Sequence, residues 1–190
     1  MTSCKEAIKD LEVDGKVAAE MEDVRLCPIS TMKPLITKMD QSLSSLKKCK
    51  QLRLSSNAIQ KIEGLSGMDN LQILSLGRNN IKKIEGLNEV ADTLEQLWIS
   101  YNGLGSFAGI DKLVNLQVLY ASNNKINSFA EVERLQALPK LRELNLVNNP
   151  LYNSNQENWR IEVIKRLEKL KNLDGQLIED EEREQAKAEA

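Results

Sequence analysis

The feature that most constrains this chain is an asparagine that returns five times at a nearly fixed interval, each time three residues after a short alternating apolar run. The middle copy is the clearest: Leu94-Glu95-Gln96-Leu97-Trp98-Ile99-Ser100-Tyr101-Asn102-Gly103-Leu104 reads L-x-x-L-x-I-x-x-N-x-L. Asn57, Asn79, Asn102, Asn124 and Asn149 end copies that begin at Cys49, Leu71, Leu94, Leu116 and Leu141, so the asparagines fall 22, 23, 22 and 25 residues apart. Leu97 and Ile99 point the same way from a strand. An amide side chain carries donors and an acceptor, so each asparagine can satisfy turn backbone groups that would otherwise be buried unpaired. Five matches at this period define a leucine-rich repeat, in which stacked units build a core that no single unit could bury alone. A ladder of identical residues serves structure in every repeat, so the asparagines are assigned no catalytic role.

The return segments repeat a smaller rule. Ile62 and Leu65, Ile84 and Leu87, Phe107 and Ile110, and Phe129 and Val132 are each three apart, the spacing that a 3-10 or short α turn presents to a core. Val132, Leu135 and Leu138 predict the most regular return helix in the longest unit. The expected fold class is therefore α/β: a leucine-rich repeat solenoid with about six short parallel strands on a concave face, short helical or 3-10 returns, and helical caps at both ends. One domain spans 1–190, divided into an N-terminal helical cap (1–23), repeats (24–151), a C-terminal cap (152–176) and a charged projecting tail (177–190). Ser3 and Glu6 fit a capping box at a first helix, and Val24-Arg25-Leu26 a degenerate first strand. Pro28 and Pro34 exclude a continuous helix until after position 34, and Met39, Leu43 and Leu46 suit a return segment. Trp159, Val163, Leu167 and Leu170 recur at helical spacing, with Ile164 alongside, as an amphipathic helix closing the core. Glu179 to Ala190 holds six acidic residues beside Arg183 and Lys187 and no apolar stripe, which predicts a projecting helix or a disordered tail.

Histidine is absent, which removes Ser-His-Asp and Cys-His catalysis and the commonest metal ligand. Cys4, Cys27 and Cys49 lack C-x-x-C spacing and read as reduced thiols. Gly103-Leu104-Gly105-Ser106-Phe107-Ala108 has the G-x-G-x-x-A form of a dinucleotide loop, but Leu104 and Phe107 already occupy repeat core positions, so a repeat turn is expected. No enzyme activity, cofactor or metal is predicted. The opening residues carry no secretory pattern, no apolar stretch approaches a membrane span, and no N-x-S/T acceptor occurs, which predicts a soluble intracellular protein. A net charge of −2 does not argue for a nucleic-acid binder.

The informative positions are those one removed from the buried leucines, since side chains alternate across a strand. Ile73, Trp98, Val118 and Tyr120 are expected to face solvent together on the concave sheet, a cluster that resembles interface anchors; the bland alternative is scattered surface apolar residues. A second surface is charged. Residues 47 to 83 contain eight Lys and Arg against Glu63 and Asp69, and Arg160, Lys165, Arg166, Lys169 and Lys171 add a cluster near the C terminus. These basic edges suit either an acidic partner, such as a filament surface or nucleic acid, or a solubilising face.

Several strings carry a closer resemblance. Leu74 to Ile84, the Leu97-Trp98-Ile99-Ser100-Tyr101-Asn102 string, Asn149 to Asn153, Leu170 to Gly175 and Glu182-Arg183-Glu184-Gln185-Ala186 resemble the leucine-rich repeat light chains of axonemal outer-arm dynein over roughly residues 24 to 186. The resemblance implies a subunit without catalytic activity in the cytoplasm and cytoskeleton of a cilium or flagellum. Its implied partner is the motor region of a dynein heavy chain, at or near the microtubule-binding domain, with tubulin as a further contact and no nucleic acid or membrane. Outside the complex a monomer is expected. The implied partner-binding residues are Ile73, Trp98, Val118, Tyr120, Tyr101, Arg78 and Arg183. Two readings of other classes stand beside it: a repeat protein that regulates a phosphatase, which a pull-down of a phosphatase catalytic subunit would select, and an RNA-particle subunit, which would need stacking platforms near the basic edge.

Overall fold

The computed structural model describes residues 2–11, 17–28, 34–154 and 158–189. Each repeat contributes one three-residue strand: β2 (Asp23–Arg25), β4 (Gln51–Arg53), β5 (Ile73–Ser75), β6 (Gln96–Trp98), β7 (Val118–Tyr120) and β8 (Glu143–Asn145) pair in parallel in that spatial order. The C-terminal cap extends the sheet by the parallel β9 (Asn172–Leu173) and the antiparallel β10 (Gln176–Leu177). The sheet therefore has two strands more than the repeat pattern predicts, because Leu170 and Leu173 mimic the start of another repeat. A separate parallel pair joins β1 (Thr2–Ser3) to β3 (Ile36–Lys38).

The register is set by the leucines. Val24, Leu52, Leu74, Leu97, Leu119, Leu144 and Leu173 are opposite one another along the sheet and all are fully buried. Each such burial contributes about 2 kcal/mol, and a one-residue slip would turn the whole row outward. The return pairs close the core from behind: Ile62, Leu65, Ile84, Leu87, Phe107, Ile110 and Val132 are buried, while Phe129 is half-buried. The longest unit does carry the most regular return, α2 (Phe129–Glu133) followed by a 3-10 turn over Arg134–Ala137. Gly86 and Gly109 mark the tightest returns. Both have positive φ, and a Cβ there would lie 2.2 Å from the carbonyl oxygen of Ile62 and 2.4 Å from that of Ile84.

The asparagine ladder binds neighbouring units to each other. The Oδ1 atoms of Asn79, Asn102 and Asn124 accept from the N–H groups of Ile59, Ile81 and Leu104 in the preceding units, at 2.9–3.0 Å. Their Nδ2 atoms donate to two carbonyls of their own turn and one of the preceding unit, in the case of Asn79 those of Leu76, Gly77 and Leu54. At the end of the ladder Asp174 takes over: Oδ1 accepts from the Leu146 N–H at 2.6 Å, and Oδ2 from the Tyr152 hydroxyl.

Both ends are capped by helices. At the N terminus, α1 (Cys4–Leu11) starts beside Asp40; burial opposes ionisation of that carboxyl, but hydrogen bonds from Ser42, Ser3 and the Lys5 N–H hold it below the usual range. At the C terminus, α3 (Trp159–Arg166) closes the core and ends before Leu167 and Leu170, which are buried all the same. The tail corrects the expectation of a projecting or disordered segment. It forms α4 (Asp180–Ala188), capped reciprocally by Glu179 and Glu182 and packed on α3. Arg160 bonds Glu182 at 2.5 Å, Arg183 donates to the carbonyls of Glu168 and Leu170, and Ala186 is buried. An apolar stripe is missing because polar bonds and one small residue do the docking.

Candidate protein-binding face

The concave surface is built from two rows of outward positions. Gln51, Ile73, Gln96, Val118 and Glu143 form one row, and Arg53, Ser75, Trp98, Tyr120 and Asn145 the other. Trp98 and Tyr120 are therefore direct neighbours, and their rings stack with centroids 6.0 Å apart and planes 26° from parallel. The Tyr120 hydroxyl donates to Glu143 at 2.5 Å; that bond, with burial, pushes its pKa up to about 12. The Nε1 of Trp98 is buried and has no hydrogen-bond partner among the described residues. Hydroxyl pairs border the aromatic platform, Ser55 with Ser75 at 2.7 Å and Ser122 with Ser100 at 2.9 Å.

Of the four apolar residues expected to face solvent together, Ile73, Trp98 and Tyr120 are half-buried and lie on the concave sheet. Val118 is a correction: it is only 5% exposed. It stands between Gln96 and Glu143 in its row, whose longer side chains rise on either side of a β-branched residue. Tyr101 and Arg78 sit on the rim above, both with positive φ, at the position before a ladder asparagine. The Arg78 guanidinium lies 4.3 Å over the Tyr101 ring, which is 48% exposed. Arg183 is not part of this group; both arms of its guanidinium hold α4 to the turn after α3. Glu143 is the member that sequence reasoning missed, and the signal was present in its place one row beside Tyr120 on the next strand.

The sheet carries polarity along its length. At the N-terminal end Asp23 pairs with Arg53 at 3.1 Å and Arg25 at 3.3 Å, whereas Glu143 toward the other end bonds the Tyr120 hydroxyl and forms no ion pair among the described residues. Cys4, Cys27 and Cys49 are free thiols; burial pushes Cys4 and Cys49 up to about 12. Among the described residues no cluster of His, Cys, Asp or Glu could hold a metal ion, and no helix is long and apolar enough to cross a membrane. What this face offers is a concave shape with an aromatic platform at its centre.

Known proteins share this architecture. A family described as leucine-rich repeat matches residues 111–189, and a two-copy leucine-rich repeat family matches residues 41–89. Among solved structures, a chain of the Drosophila melanogaster SNF/U2A' complex superposes with a TM-score of 0.64 at 24% identity, covering 73% of this chain and 79% of that one. A Listeria monocytogenes internalin, inlF, gives 0.58 at 21% identity over 74% of this chain and 38% of that one. These likenesses show the fold alone. Dynein axonemal light chain 1 of Chlamydomonas reinhardtii is 57% identical over 97% of this chain and 95% of its own length. The Ciona intestinalis and Homo sapiens proteins of that name are 48% and 46% identical, covering 97% and 92% of this chain and the same shares of their own. With identity of this order along nearly the whole of both partners in each comparison, the chain belongs to the axonemal dynein light chain 1 family.

Proposed function

We propose that the chain is a non-catalytic subunit of an outer-arm dynein that binds the motor region of a heavy chain, at or near its microtubule-binding domain, and tunes ciliary or flagellar motility. Family membership assigns it to a dynein light chain role in the axoneme, part of the cytoskeleton. The observation that carries the finer reading is the stacked Trp98–Tyr120 pair at the centre of the concave sheet. Aromatic anchors in the middle of a partly desolvated surface dominate binding energy when a partner helix covers them. Ile73 broadens the platform, and Arg78 and Tyr101 border it on the rim. Val118 lies beside the platform in the neighbouring row of the same face, and Arg183 acts indirectly, by seating α4.

The test is the affinity of the recombinant chain for a heavy-chain motor domain containing its stalk. Trp98→Ala should weaken binding by about 2 kcal/mol, near thirtyfold; a folded variant with full affinity would overturn the concave-face reading. Tuning is read separately, as microtubule affinity of the motor with and without the light chain. A change that shrinks with added salt supports an electrostatic effect of the light chain on the acidic filament. An unaltered affinity reduces the subunit to a structural clip.

A further inference from the structure

The basic stretch over residues 47–83 does not survive as one surface. Lys48 pairs with Glu20, Lys50 with Glu22 and Arg53 with Asp23, so acids of the N-terminal cap neutralise its first half. What stays cationic lies on the flank between the asparagine ladder and the return segments. From one residue before each of Asn57, Asn79, Asn102 and Asn124 to four residues after, the chain carries Lys61, Arg78, Lys82, Lys83 and Lys125 and no acidic residue. Lys61 lies 4.0 Å from Glu63; the other four are exposed and form no ion pair among the described residues.

The flank is a continuous wall. Asn80 N–H donates to Ile59 O, Gly103 N–H to Ile81 O and Lys125 N–H to Leu104 O, at 2.7–2.8 Å, so equivalent positions stack one repeat apart, roughly 5 Å per step. In the third unit this wall is bare, because Gly103 and Gly105 replace side-chain-bearing residues. Arg78 leans from the second unit over Tyr101 of the third. Lys82 crosses Gly103, where a Cβ would stand 3.4 Å from its Cγ. At Gly105 the nearest atom is the Lys125 carbonyl oxygen, 4.0 Å from where a Cβ would be. Cations of the second and fourth units thus bracket a glycine-floored strip in the third.

We infer that this strip docks an extended, carboxylate-rich protein segment. Arg78, Lys82, Lys83 and Lys125 repel one another and form no ion pair among the described residues, so an acidic partner relieves both. The Arg78 guanidinium, stacked on Tyr101, keeps its edge N–H groups for a bidentate carboxylate. The glycines let a partner backbone approach closely. Lys82 and Lys125, two repeats or roughly 10 Å apart along the wall, suit carboxylates two to four residues apart on an extended chain. Single-stranded nucleic acid fits less well: Tyr101 is the only aromatic in these four windows, and Arg78 already covers it. The strip meets the concave platform at the Arg78–Tyr101 rim but does not include Trp98, so Trp98→Ala leaves it intact.

Fluorescence anisotropy of a labelled oligoglutamate peptide, titrated with the full chain at low and high salt, tests the inference. Binding is expected to weaken with salt. Gly105→Glu, at a position with ordinary φ where a Cβ meets nothing closer than 4.0 Å, should weaken it about tenfold, and Gly105→Ala, which adds only a methyl to the floor of the strip, should weaken it less. Lys82→Glu should match Gly105→Glu, while Lys140→Glu, of the same charge change as Lys82→Glu and with its ammonium on Asn115, should bind as the parent does. Circular dichroism confirms that each variant is folded. The inference is overturned if the peptide does not bind, if Lys140→Glu costs as much as Lys82→Glu, if Gly105→Glu binds normally, or if a single-stranded oligonucleotide binds more tightly than the peptide.

Discussion

On the inner side of the turns each buried asparagine finds its partners, whereas on the concave side of the same strands the indole N–H of Trp98 finds none. Asn124 accepts from Leu104 N–H and donates to the carbonyls of Ile99 and Ala121, all within 3.1 Å. Trp98 stacks on Tyr120 and leaves a buried donor unmet. An unmet buried polar group costs on the order of 1–3 kcal/mol; among the described residues a fold that satisfies every ladder amide carries that cost at its aromatic centre and again at Asn172 Oδ1 in β9. The contrast teaches that the ladder is built to satisfy its own backbone, while the platform carries a donor that the described residues leave unmet.

The sharpest way to break this contrast is at the ladder. Asn124→Ala strips the Leu104 N–H of its partner in a buried turn and takes one of two amide donors from each of the Ile99 and Ala121 carbonyls, which keep Asn102 and Asn149; it should cost about 3 kcal/mol, read by urea unfolding. A loss below about 1 kcal/mol would show that the ladder is dispensable. Trp98→Ala should cost the fold less, about 1–2 kcal/mol, since lost packing is partly offset by removal of the orphaned donor; the same denaturation experiment decides it, and equal losses at the two sites would erase the distinction.

Smaller effects sharpen it at the edges. The Arg160 guanidinium holds the Glu182 carboxyl below the usual carboxylate range. A depressed carboxyl stabilises above its ordinary value and loses that contribution as pH falls through the folded one. Glu182→Gln should therefore loosen α4 by about 1 kcal/mol near neutrality and remove part of the acid sensitivity, measured by hydrogen exchange of the α4 amides. Unchanged exchange would mean that Arg183 and Ala186 dock the helix unaided. Tyr120 shifts the other way: its hydrogen bond to Glu143, aided by burial, raises it from 10.0 to about 12. Folding favours the neutral phenol, so its contribution is complete below pH 10.0 and is lost as pH rises toward about 12. Tyr120→Phe should flatten that alkaline decline and remove a late step from the tyrosinate absorbance titration.

The repeat boundaries, the inward leucines and the ladder were legible in the sequence because each is a local periodicity. Leu52, Leu74, Leu97, Leu119 and Leu144 occupy one spacing rule and one buried row. The Trp98–Tyr120 pairing was legible too, once strands were aligned by their asparagines. Val118 was not, because alternation tells which way a side chain points and says nothing of how tall its neighbours stand. Arg183 was misread as part of a free tail because its partners are backbone carbonyls, which leave no mark on a pattern of residue types.

By itself, then, the sequence determined a right-register stack of units, its core and the aromatic centre of its sheet, since a period near 22 residues repeats both the chemistry and the geometry. Only the tertiary structure decided which surface charges remain unpaired and whether the tail is docked. Lys48 meets Glu20 across 28 residues, between a repeat and the N-terminal cap, and Arg160 meets Glu182 across 22, between the C-terminal cap and the tail, segments whose sequences follow no common rule. Charge pairing depends on distance in space, and the solenoid sets that distance where the caps fold back on it.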